Sequence, residues 1–119
     1  MNENKFVKIV VGVPEAYADK VRRAMGKAGA GKIGDYEFCS FSIKGIGRFI
    51  PLKTANPTIG QKGKLEQVIE ERIETVCLKK DLQKIIKAIK KIHPYEQLAL
   101  DIYPLFLNPA KITYNQKKR

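Results

Sequence analysis

Apolar and polar side chains alternate in the first well-patterned stretch of the chain. From Phe6 to Val13, the residues Val7, Ile9, Val11 and Val13 fall on one side, and Lys8 and Gly12 fall on the other. This is the period-two signature of a strand with one buried face. The period then changes. Tyr17, Val21, Ala24, Met25 and Ala28 recur at helical spacing, while Lys20, Arg22, Arg23 and Lys27 take the remaining positions. Pro14 suits the first turn of that helix, and Glu15 sits near the positive end of its dipole. Gly29 and Gly31 are expected to end it, because glycine takes positive φ readily. Tyr36 to Lys44 reads as a second strand, with Cys39, Phe41 and Ile43 on one side. Gly45, Gly47, Pro51, Pro57, Gly60 and Gly63 then predict a long loop, with a turn at Asn56-Pro57.

Leu65 to Leu78 is rich in helix formers between Glu66 and Glu74. Its β-branched content favours a strand, as does the alternation of Ile69, Ile73 and Cys77 against Val68, Arg72, Glu74 and Val76. Asp81 is placed to cap a second helix. Leu82, Ile85, Ile86, Ile89 and Ile92 form that helix's apolar stripe, Lys84, Lys87, Lys90 and Lys91 its outside, and Pro94 its stop. Leu98, Leu100 and Ile102 alternate in a final strand that ends at Pro104. The order β-α-β-β-α-β predicts an α+β fold, a ferredoxin-like sandwich of an antiparallel sheet with two helices on one face. The expected organisation is one domain over 5–106 and a basic tail over 107–119.

Composition adds modest constraints. Hydrophobic residues make up 44% of the 119 positions, a globular proportion. No apolar run approaches the roughly 20 residues of a membrane span, and Met1 to Lys5 lacks the pattern of a secretion signal. A cytoplasmic protein is expected. Cys39 and Cys77 match neither a zinc-knuckle nor a redox spacing and read as small core residues. The net charge of +11 comes from 23 basic and 12 acidic residues. It suits attraction to nucleic acid as well as simple solvation.

Several irregular segments go beyond this patterning. They are Gly29-Ala30-Gly31-Lys32-Ile33-Gly34 with Tyr36 and Cys39-Ser40-Phe41, then Gly45 to Pro51, Ala55-Asn56-Pro57-Thr58-Ile59-Gly60, His93-Pro94-Tyr95-Glu96, and Asp101-Ile102-Tyr103-Pro104. In these segments the chain resembles the domain inserted in bacterial members of the NIF-three-like, dinuclear-metal-centre family of the YqfO type. That domain is similar to the trimeric PII and CutA proteins. The resemblance implies a PII/CutA-like fold, a stand-alone form of the inserted domain, and self-association as a trimer. The family's metal-binding lobes lie outside the matching region, and this chain holds a single histidine. Gln97-Leu98-Ala99-Leu100 and Lys53-Thr54 depart from the family pattern, so the metal chemistry of the larger members is not transferred.

Candidate chemistry is sparse. His93, with Glu96 nearby and Cys39 brought in by folding, forms a possible ligand set for a divalent metal such as zinc. The competing reading is that His93 caps the last carbonyls of the second helix. Gly31, Lys32 and Gly34 could present backbone N–H groups to an anion, and Asn56 lies in a second loop of the kind that lines ligand clefts. Turn geometry is the plainer account of both. Glu66, Glu70, Glu71 and Glu74 read as a strand's polar face. Lys44-Gly45-Ile46-Gly47-Arg48-Phe49 is superficially similar to an RNA-recognition signature, but Ile46 and Arg48 stand where aromatics are needed. Phe6 and Phe38 are the aromatics that could face outward from the sheet.

No nucleophile–base pair stands at a recognisable spacing, so a catalytic role is not favoured. The expected function is a non-enzymatic, oligomeric regulatory or ligand-binding module. The alternatives are a metal-binding accessory to a separate hydrolase-like protein partner, and a basic nucleic-acid-binding protein.

Overall fold

The first alternating stretch forms β1 (Phe6–Pro14), whose Val7, Ile9, Val11 and Val13 are all buried. The computed structural model describes residues 5–112. A single 3-10 turn at Glu15–Tyr17 separates β1 from α1 (Ala18–Lys27), so Pro14 ends the strand rather than opening the helix. The remaining elements are β2 (Phe41–Phe49), β3 (Glu66–Leu78), α2 (Leu82–Ile92) and β4 (Leu100–Pro104). The strands form one four-stranded antiparallel sheet in the order β2-β3-β1-β4. This is the expected ferredoxin-like arrangement.

Register decides which face each side chain joins. Val7, Ile9 and Val11 stand opposite Cys77, Thr75 and Ile73 of β3, and opposite Pro104, Ile102 and Leu100 of β4. That face packs against Ala18, Val21 and Met25 of α1 and Ile85 and Ile89 of α2 to form the core. Asp81 stands at the N-cap of α2 but makes no side-chain cap bond, because a 3-10 turn at Lys79–Asp81 leads into the helix instead. Trimming Ile85 to valine is expected to cost about 1 kcal/mol, the usual effect of removing one buried methylene. Urea unfolding would measure it, and an unchanged midpoint would mean that α2 does not seal the core.

The second strand departs from expectation. It begins at Phe41 and runs through Gly45, Ile46 and Gly47 to Phe49, the stretch expected to be loop. Residues 32–40 fold as a turn in which Ile33 and Tyr36 bridge each other. Phe38 takes the left-handed conformation at φ 60°, so extended pairing starts only beyond it. Phe38 therefore lies over Gly26 of α1 and not on the sheet. Phe6 lies on the sheet's helix-free face, in register with Leu78. Cys77 is buried as expected, whereas Cys39 sits half-buried in the turn.

The outer parts of β2 and β3 run beyond the cover of the helices. Ile46 and Ile69 pair on the helix side of the sheet yet are 54% and 58% exposed. On the helix-free face Phe41 and Ile43 are 63% and 50% exposed. Within the stretch expected as tail, Pro109–Lys111 forms a 3-10 turn capped by Asn108. The basic end, Gln116 to Arg119, lies outside the described residues. No helix among the described residues is long and apolar enough to cross a membrane.

Candidate functional site

Two of the irregular segments meet in space. The backbone N–H of Asn56 donates to Glu96 Oε1 at 2.7 Å, and the Thr58 hydroxyl donates to the Pro94 carbonyl at 2.6 Å. These bonds pin the loop after β2 onto the segment after α2. Between them opens a cleft of about 600 Å³, walled by Ile50, Leu52 and Ile59 and floored by Phe49, Tyr95 and Glu70.

His93 supports this junction from below. Its Nε2–H donates to the Gly12 carbonyl at 2.8 Å, and its Nδ1 accepts from the Tyr95 backbone N–H at 3.1 Å. A carbonyl can only accept and a backbone N–H can only donate, so these partners define a neutral imidazole. The Gly12 N–H donates to the Ala99 carbonyl just before β4 begins, and His93 occupies the carbonyl of the same residue. The histidine thus completes the pairing of β1 where β4 falls short. The expected capping of α2 by the His93 side chain is not what forms; only its backbone N–H bonds back to Ile89. Burial holds the imidazole below its usual pKa, against weaker opposing pulls from the Gly12 carbonyl and Glu70.

The ring of Tyr95 packs edge-on to Phe49, with centroids 5.8 Å apart. Its hydroxyl donates to Glu70 Oε2 at 3.0 Å. Burial first, and then the neighbouring Glu70 carboxylate, raise the phenol's pKa. The Glu70 side chain lies across two glycines of the neighbouring strands. A Cβ on Gly47 would stand 2.5 Å from Glu70 Cδ, and one on Gly12 would stand 3.1 Å from Oε1. Gly47 is therefore a strand position emptied to seat a carboxylate, while Gly45, also within β2, has nothing within 4 Å of its Cβ position.

The other candidates lie elsewhere. Cys39 belongs to a smaller hollow of about 210 Å³ beside Arg22 and Thr75, where the Thr75 hydroxyl donates to the Cys39 carbonyl at 2.6 Å. His93 and Glu96 lie in the same segment, but among the described residues no three metal-ligating side chains come together. With both ring nitrogens of His93 engaged, the donor set does not fit a metal. Gly31 is tied by its N–H to the Val76 carbonyl at 2.7 Å and by its carbonyl to the Cys39 N–H at 2.9 Å, while Lys32 and Gly34 are exposed. The four glutamates do not share one polar face. Glu71 points to the helix side, where it pairs with Arg22, and Glu74 pairs with Lys8 and Arg72 on the other side. On the helix-free face Glu70, Glu74 and Asp101 stand together with Lys8 and Arg72.

The Tyr95 phenol is kept protonated, and burial pushes the Cys77 thiol up to about 11, away from the cleft. Sequence reasoning found the Tyr95 segment but missed Glu70 and Phe49. The available signal was Gly47, a glycine inside a strand, which marks close approach by a neighbour.

No family model matches the chain. It is 51% identical over 104 residues to a GTP cyclohydrolase 1 type 2 homolog of Bacillus subtilis, covering 87% of this chain and 28% of that protein. A protein of the same description from Mycobacterium tuberculosis is 41% identical over 103 residues, covering 87% and 27%. Among solved structures, a Bacillus cereus protein related to NIF3 superposes with a TM-score of 0.76 at 44% identity, over 88% of this chain and 27% of that one. CutA from Synechococcus elongatus PCC7942 superposes with a TM-score of 0.66 at 12% identity, over 93% and 87%, a likeness of fold. The chain spans little more than a quarter of the length of the curated relatives it matches.

Proposed function

The chain is a counterpart of one segment of the NIF3-related GTP cyclohydrolase 1 type 2 homologs, and we propose that it acts as a non-enzymatic, trimeric regulatory or ligand-binding module. The observation that carries this reading is the uncovered apolar surface of the β2–β3 hairpin. Phe41 and Ile43 on one face, and Ile46 and Ile69 on the other, stand half or more exposed beyond the helices. Burying such side chains is worth about 1.5–3 kcal/mol each, and among the described residues the outer edge of β2 has no neighbouring strand. Both features are met when copies of the chain pack hairpin against sheet. Two free cysteines, Cys39 and Cys77, fit a reducing compartment, here the cytoplasm.

Sedimentation equilibrium tests the reading. The wild type is expected to run as a trimer at micromolar concentration. Ile43→Asp is expected to run as a folded monomer, because a carboxylate there would be buried unpaired in the assembly. A wild-type monomer would overturn the proposal.

A further inference from the structure

The cleft has a chemistry of its own, made wholly from one chain. Its volume of about 600 Å³ is that of a small-molecule site, and its walls are largely apolar. Its polar groups are unevenly signed. Glu70, Glu96 and Arg48 are its charged lining residues, two acidic and one basic, in a chain whose net charge is +11.

Glu70 is held ready as an acceptor. Its Oε2 takes the Tyr95 hydroxyl, while its carboxyl group lies over Gly12 and Gly47. Among the described residues no N–H or O–H donates to Oε1. Glu96 is similar: one oxygen takes the Asn56 N–H and the other is free of partners among the described residues. A positioned carboxylate beside the electron-rich rings of Tyr95 and Phe49 is an arrangement that attracts ammonium and guanidinium groups. Among the described residues no three His, Cys, Asp or Glu side chains gather there as metal ligands.

We propose that this cleft binds a small organic cation, a primary amine or guanidinium on an apolar body, with Glu70 as its counter-ion. The proposal deepens the ligand-binding part of the function above but does not depend on assembly, since every residue named comes from one protomer.

Titration calorimetry with three matched probes tests it: phenethylamine, the neutral 2-phenylethanol and the anionic phenylacetate. Phenethylamine is expected to bind at least about tenfold more tightly than either of the others. Glu70→Gln, which can still accept from Tyr95, is expected to weaken the amine by about tenfold. Gly47→Ala, whose Cβ takes the space of the Glu70 carboxyl group, should weaken it similarly while leaving the backbone extended. Phenylacetate binding as well as phenethylamine would overturn the proposal on wild-type protein alone. Unchanged amine affinity in Glu70→Gln would overturn it too. A monomer that discriminates the probes sinks the trimer and keeps this site. A trimer that does not discriminate sinks this site and keeps the trimer.

Discussion

Replacing Gly31 with alanine is expected to cost about 3–5 kcal/mol, a large share of the stability of a domain this size. Gly31 sits at φ +87°, in the region where an L side chain costs roughly 1–2 kcal/mol. Its missing Cβ would stand 2.6 Å from the Cys39 carbonyl oxygen and 2.7 Å from the Cys39 nitrogen. Both neighbours are backbone, so neither can swing aside as a side chain would. Relief requires moving the turn that carries Cys39. That movement would break the Gly31–Val76 and Cys39–Gly31 bonds and the Thr75 bond to the Cys39 carbonyl. Gly34→Ala is the control. Gly34 also has positive φ, at +55°, but nothing lies within 4 Å of its Cβ position, so its loss should stay near 1–2 kcal/mol. Urea denaturation of the pair separates the two effects. Equal midpoints would mean that the turn does not pack as described.

Removing the His93 side chain is the second large effect. His93→Ala is expected to cost about 2–4 kcal/mol, because it leaves a cavity and strips the Gly12 carbonyl and the Tyr95 N–H of their partners. The residue also sets a pH dependence whose sign follows from its lowered pKa. In the unfolded chain the imidazole takes a proton near its ordinary value of about 6.5. In the folded protein it resists until lower pH. Its contribution is therefore complete above about pH 6.5 and declines as the pH falls through the native value. The wild type should lose stability between neutral and mildly acid pH, and His93→Ala should lose that part of the slope. A slope that survives the substitution would assign the acid sensitivity to other groups.

Most elements were legible because their faces are exclusive. In β1 every second residue from Val7 to Val13 is apolar and buried, and in α2 the Ile85–Ile89 stripe points to one side. Ile69, Ile73 and Cys77, alternating with Val68, Arg72, Glu74 and Val76, outweigh the helix formers between Glu66 and Glu74. The second strand was misplaced because Gly45 and Gly47 carry no face information, and glycine more often marks a turn. What empties Gly47 is Glu70, a residue more than twenty positions away in sequence. The cleft was illegible for the same reason. The partners Glu70–Tyr95, Asn56–Glu96 and Gly12–His93 are each distant in sequence, and each group alone reads as an ordinary polar or turn residue. His93 looked like a ligand because its side chain is chemically versatile. Only the positions of two backbone groups show that both nitrogens are already spent.

The strand order has a kinetic consequence. β1 is central, but its partners β3 and β4 are encoded far downstream: Val7 lies beside Cys77 on one side and Pro104 on the other. Closing loops of that length costs chain entropy before any pairing is gained. β2 and β3, adjacent in sequence, can zip together first. During synthesis β1 therefore leaves the ribosome before either neighbour exists, with Val7, Ile9, Val11 and Val13 unprotected. Refolding in vitro should be slow for a chain of this length, and most vulnerable to aggregation in the interval before β3 arrives to take up β1.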